Sequence, residues 1–162
     1  ALRLSPANAE AHNNLGNVLV QQGKIDEAVK HYRQAVKHGP QFTLALDNLG
    51  WALAQQGHYA EAVACCEKAV NLKPEEETLR LSFGELLLRM GRNEQAKVQF
   101  AKALKLSPDS PEAHLGFAKA LARTGQIELA ATHFKETLRL KPDDEEARKE
   151  LANLGKAKGE AP

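Results

Sequence analysis

NAEAHNNLGNVLVQQGKIDEAVKHYRQAVKHGP, the stretch from Asn8 to Pro40, decides the fold. Within it Ala11, Leu15, Val18 and Leu19 recur at three- and four-residue steps, one apolar stripe of an amphipathic helix. Gly23 stands where such a helix ends, because glycine takes positive φ without a Cβ clash. A second stripe follows at Ile25, Ala28, Val29, Tyr32, Ala35 and Val36. Gly39-Pro40 then stops it, since proline disfavours the helical region for the residue before it. The stretch predicts two antiparallel helices joined by a short turn.

Working outward, the same pattern returns along the whole chain. Pro6, Pro40, Pro74, Pro108 and Pro142 keep a constant step of 34 residues. Gly23, Gly57, Gly91 and Gly125 move in phase with them, as do Ala28, Ala62, Ala96 and Ala130. A fixed period of this size means a stack of helix pairs, each burying its apolar face against its neighbours. The predicted units are 8–41, 42–75, 76–109 and 110–142, followed by a closing helix over 143–155 and a flexible tail over 156–162. Ala1 to Pro6 matches Ala103 to Pro108 in register, so residues 1–6 read as the end of a preceding repeat in a longer array.

The mid-helix column Gly16, Gly50, Gly84 and Ala118 predicts close approach, because a helical glycine costs roughly 0.5–1 kcal/mol relative to alanine. The expected neighbour is the Ala28 column of the same repeat. The large column Tyr32, Cys66, Phe100 and Phe134 is expected to fill the space between successive repeats. Ser110 before Pro111 predicts a hydroxyl cap and a first-turn proline on the fourth unit.

Composition argues against several functions. The chain has 162 residues, with 22 Lys+Arg against 21 Asp+Glu, and so no charge excess that asks for nucleic acid or an anionic membrane. No apolar run approaches the 18–20 or so residues that cross a bilayer, so no membrane insertion is expected. Cys65 and Cys66 are adjacent and point about 100° apart on a helix, which disfavours a disulfide and leans toward a reducing, cytoplasmic setting. Cys66 falls in the large core column. His12 and His114 are repeat equivalents, as are His31 and His133, and no histidine spacing matches a metal site. The six histidines therefore read as surface residues. No phosphate loop, nucleophile–base order or carboxylate pair is present. The expectation is a non-enzyme without cofactor or metal.

The 34-residue period, Leu15-Gly16, Ala28, Tyr32, Ala35 and the closing Pro40 resemble the tetratricopeptide repeat (TPR) family, over almost the whole chain. One departure runs throughout: the large aromatic usual three residues before the Leu15 column is replaced by His12, Leu46, Arg80 and His114, which predicts looser packing at the outer edge of each first helix. The resemblance implies an all-α, right-handed superhelical solenoid of helix-turn-helix units with a C-terminal capping helix. It also implies a concave groove lined by the first helices, similar to peptide-binding troughs in many relatives.

On that frame the groove set comprises Asn13, Asn14, Asn17, Asn48, Trp51, Gln55, Leu81, Glu85, Leu88, Arg89, Lys119 and Arg123. Asn14 and Asn48 share a column, and an amide both donates to and accepts from a peptide backbone. Trp51, the single Trp, and Leu88 are expected as apolar anchors. Arg89, Lys119 and Arg123 are expected to meet acidic ligand groups. TPR cochaperones clamp a terminal carboxylate with two Lys, two Asn and an Arg at columns that here hold Asn13, Asn17, Asn48, Thr78 and Ser82; the amides match but the three cations are absent, so that function is rejected. A helical-repeat RNA reader is disfavoured by the single groove aromatic and mixed charge. The predicted partner is a protein or peptide, with a structural or self-assembling segment (a homo-oligomer, or a part attached to a catalytic domain) as the alternative.

Overall fold

The structure, a computed structural model, describes residues 6–159, with side chains over 7–155. Among them helices are the only regular elements: α1 (Pro6–Gln21), α2 (Ile25–His38), α3 (Thr43–Gln55), α4 (Tyr59–Leu72), α5 (Glu77–Arg89), α6 (Asn93–Leu106), α7 (Pro111–Arg123), α8 (Ile127–Leu140) and α9 (Glu145–Gly159). They form two compact units, Ala1–Leu79 and Arg80–Pro162. In the first, α1 packs on α2, α3 on α4, and α3 against both helices of the preceding pair. In the second, α6 packs on α7, α7 on α8, and α8 on α9.

The turn inside each pair has one design. Gly23, Gly57, Gly91 and Gly125 have φ of 75°, 81°, 72° and 81°. At the first, Gly23 N–H donates to Val20 O and Lys24 N–H to Leu19 O, both at 2.9 Å, the paired bonds of a Schellman end. The same two bonds recur at the other three turns. These second helices (α2, α4, α6 and α8) begin without a side-chain cap, at Lys24, His58, Arg92 and Gln126. The seventh helix does have one: Ser110 Oγ accepts from Ala113 N–H at 3.3 Å, with Pro111 in the first turn.

Packing follows the columns. Ala28, Ala62, Ala96 and Ala130 are fully buried, as are the rings of Phe100 and Phe134. The partner expected for the mid-helix glycines is corrected. A Cβ on Gly16 would meet the Tyr32 ring at 2.5 Å, and one on Gly84 the Phe100 ring at 2.8 Å. At Gly50 the Ala62 column also comes near, through its carbonyl oxygen at 3.1 Å, with Cys66 Sγ closer still at 2.7 Å. The small column is therefore a seat for the large column, because a ring reaching across from the second helix needs the volume a Cβ would occupy. Phe100 also touches Gly116 on α7, so it does span from one repeat to the next.

Three further expectations change. Pro6 opens α1 instead of closing an earlier helix, and residues 1–5 of that expectation lie outside the described residues. The closing helix runs to Gly159, well past 155, because Gly155 keeps a helical backbone and Lys156-Ala157-Lys158 are good helix formers. Residues 160–162 of the expected tail lie outside the described residues. The outer edge is not uniformly loose either: Leu46 and His114 are buried, whereas His12 and Arg80 are half-buried. The ninth helix packs on the fourth pair, where Ala147 joins the core of Ala118, Leu121, Ala130 and Phe134, with Leu151 and Leu154 packed against it. At α1, by contrast, Leu15 and Val18 are 43% and 46% exposed, whereas their equivalents Leu49 and Ala52 are buried.

Candidate functional site

In the first unit α1 and α3 lie side by side over α2, and between them opens a cavity of about 240 Å³. Asn17, Val20 and Gln21 line it from α1, Tyr32 from α2, and Asn48, Trp51, Ala52 and Gln55 from α3. No charged side chain is among the lining residues. One turn of α1 separates Asn17 from Val20 and Gln21, and one turn of α3 separates Asn48 from Trp51, so each helix turns the same face inward.

A hydrogen-bond network orients the amides. Tyr32 Oη–H donates to Asn17 Oδ1 at 2.8 Å. Asn48 Nδ2 donates to Asn13 Oδ1 at 2.9 Å and to Asn17 Oδ1 at 3.1 Å. Burial pushes the Tyr32 phenol above its ordinary value, so it remains a donor at neutral pH. With Asn17 Oδ1 accepting twice and Asn48 Nδ2 donating twice, Asn17 Nδ2 and Asn48 Oδ1 carry the remaining capacity: one donor beside one acceptor. Trp51, half-buried, supplies the aromatic wall.

The other groove candidates divide. Asn13 is only 5% exposed and serves as the acceptor for Asn48, behind the cavity lining. Asn14 is exposed and outside the lining, so the Asn14–Asn48 column does not meet; Asn48 reaches Asn13 and Asn17 instead. In the second unit Leu81 and Glu85 are half-buried and Arg89 is exposed. Leu88 as an exposed anchor is corrected: it is 2% exposed, held in the core beside Leu86 and Leu87. Lys119 Nζ lies 3.0 Å from Glu146 and 3.7 Å from Glu85. Arg123 Nη1 donates to the Leu88 carbonyl at 2.7 Å. Both cations are engaged within the unit.

Two features escaped the reading of the sequence. Tyr32 belongs to the site as well as to the core, and the signal was its hydroxyl in a column that otherwise holds Cys66, Phe100 and Phe134. The histidines are the second. The period relates histidines of different repeats, but the contacts form within a repeat, 19 residues apart. His12 Nδ1 lies 3.0 Å from His31 Nδ1, and His114 Nδ1 lies 2.8 Å from His133 Nδ1. His114 Nε2 also reaches Pro108 O at 2.9 Å. Burial lowers the His12 and His133 pKa values, and the neighbouring imidazole of each lowers them further. They are seam residues between paired helices, not surface ones. Burial pushes both thiols, Cys65 and Cys66, above the ordinary range, so neither is an activated nucleophile. Among the described residues no group of three or more His, Cys, Asp or Glu could hold a metal, and no helix is long and apolar enough to cross a membrane.

Comparisons with known proteins agree with this architecture. A family model described as tetratricopeptide repeat matches residues 1–41, 13–77 and 81–154, and a second of the same description matches 53–105. Among solved structures, MamA 41-end from Desulfovibrio magneticus RS-1 is similar at a TM-score of 0.82 and 20% identity, covering 94% of this chain and 86% of that one. YrrB, described as a TPR protein with an unusual peptide-binding site, gives 0.71 and 22%, covering 91% and 76%. The first TPR of Spaghetti (RPAP3), bound to HSP90 peptide SRMEEVD, gives 0.68 and 24%, covering 74% and 94%. At these identities the likeness is one of fold.

Proposed function

Because this chain belongs to the tetratricopeptide repeat family, we propose that it is a non-catalytic protein-interaction scaffold whose first unit holds an extended, uncharged peptide segment in the α1–α3 cavity. The observation that carries this reading is the oriented amide pair. Asn17 Nδ2 as donor and Asn48 Oδ1 as acceptor complement one peptide group of a ligand main chain, which offers a carbonyl and an N–H. Trp51, with Val20 and Ala52, offers an apolar wall for the side chain that follows. An acidic peptide such as the one held by Spaghetti finds no cation among the lining residues.

Affinity for a single peptide is expected on the order of micromolar, because ordering an extended ligand offsets much of the contact energy. The test begins with a lysate pull-down comparing the wild type with an Asn48→Ala/Trp51→Ala variant, followed by calorimetry on the captured partner's peptide. Trp51→Ala should weaken binding by about 1–3 kcal/mol with helicity retained. Equal affinity in the two proteins would end the role assigned to Trp51.

A further inference from the structure

His12, His31 and His38 gather on the seam between α1 and α2, two of the three helices that line the cavity. The His12 and His31 ring centroids are 5.3 Å apart, and their Nδ1 atoms 3.0 Å apart. An imidazole radius at each end plus the N···N distance accounts for nearly all of that separation, so one ring's N–H meets the other's lone pair end-on. His38 stacks on His12, parallel within 3° at a centroid distance of 5.8 Å.

The positions in sequence connect this cluster to the cavity. His12 precedes Asn13, the acceptor for Asn48, and His31 precedes Tyr32, the donor to Asn17. The imidazole contact and the amide network therefore use consecutive residues on each side of one helix–helix seam. We propose that the His12–His31–His38 cluster is a proton-operated latch: it holds α1 on α2 when neutral, and on full protonation it releases the seam and with it the geometry of the Asn17–Tyr32–Asn48–Trp51 cavity.

The proton count gives the mechanism. A neutral pair has one Nδ1–H facing one bare Nδ1, and adding one proton at an outer Nε2 leaves that bond in place. A second proton puts an N–H on both facing atoms and two like charges at contact, with His38 as a third charge against His12. On α1 the remaining ionisable residue is Glu10, which is exposed. On α2, Glu27, Lys30 and Lys37 are exposed, Asp26 accepts from Gln56, and Arg33 pairs with Glu61. On α3 the single ionisable residue is Asp47, whose carboxylate lies 4.0 Å from Cys66 Sγ. Burial and the two neighbouring imidazoles already hold His12 below its ordinary 6.5. The latch is therefore closed above that value and opens as pH falls below it. Any consequence for ligand affinity rests on the peptide reading above, whereas the change in cavity geometry does not.

Trp51, the single Trp of the chain, lines the cavity and reports on it directly. Its emission should be followed in the intact chain between about pH 8 and 5, the range in which histidine titrates. The wild type should give a spectral transition with a midpoint below 6.5, the ordinary histidine value. His12→Gln and, separately, His31→Gln should lose that transition, with circular dichroism at pH 8 reporting that each is folded. His133→Gln, in the other unit, should keep it. A wild type without a transition, a transition unchanged in both folded seam variants, or one lost in His133→Gln would each overturn the latch. Because no ligand is present, none of these outcomes depends on peptide binding, which the pull-down tests at neutral pH.

Discussion

The ring of Phe100 is the residue on which the packing of the second unit is most sharply decided. It lies between Gly84 on α5 and Gly116 on α7, and neither position has room for a methyl group. Helix propensity alone would favour Gly116→Ala by about 1 kcal/mol. The added Cβ would instead collide with a buried ring that cannot retreat, an overpacking cost of typically 1–3 kcal/mol. The expected outcome is a net loss of stability in urea unfolding, while Gly155→Ala, with nothing within 4 Å of its Cβ, should gain up to about 0.5–1 kcal/mol. The sequence disclosed that this column must be small. It did not disclose what fills the space, because the Ala28 and Tyr32 columns lie on the same facing helix and only the crossing of the helices chooses the ring. Tyr32 has the same history: periodicity placed it in the core, and only its hydroxyl's approach to Asn17 placed it in the site as well.

At the scale of the element, α9 shows how a helix end becomes a titratable feature. Asp144 Oδ1 accepts from Ala147 N–H at 2.9 Å, and its other oxygen lies 3.2 Å from Lys141 Nζ. The Ala147 N–H, and after it the Lys141 ammonium, holds the Asp144 carboxyl below its ordinary 3.8. A carboxyl lowered on folding stabilises above its unfolded value and loses that contribution as pH falls through the folded one. Asp144→Ala should therefore cost about 1 kcal/mol at neutral pH. Amide exchange should then rise first in α9, whose Ala147, Leu151 and Leu154 cover the Phe134 core. The Ser110 cap was legible in the sequence because Ser-Pro is a local signal. The Asp144 cap was not singled out, since Asp143 and Asp144 are adjacent candidates and the helix start selects between them.

For the whole molecule, the two histidine seams make stability fall toward acid in both units. His12 and His133 have pKa values lowered on folding, so each contributes fully above the ordinary 6.5 and less as pH drops through its folded value. In the second unit His114 Nε2 is committed to the Pro108 carbonyl, so His114 offers a bare Nδ1 and His133 supplies the N–H. Glu136, near both rings, works against the lowering of His133. Urea midpoints should decline between pH 7.5 and 5 in the wild type and decline less in His133→Gln, whereas parallel slopes would remove that seam from the acid response. Ion pairs should matter little by comparison, because most are exposed, such as Arg33–Glu61 and Arg139–Glu136.

The order of helix pairs, the positive-φ turns and the buried alanines followed from a 34-residue period, because each depends on neighbours a few residues away and on a pattern repeated along the chain. Family membership came from the same columns. The candidate site was legible only in part. Asn17, Asn48 and Trp51 could be placed on inward faces by counting turns, but Asn14 could not be told from Asn13, nor Leu88 from a surface leucine. The availability of Lys119 depended on Glu146, a residue of another helix, and the histidine contacts depended on side chains meeting across a seam. Tertiary structure decided these points because a helix register assigns a face, whereas a hydrogen bond needs two atoms from separate elements to arrive within about 3 Å of each other.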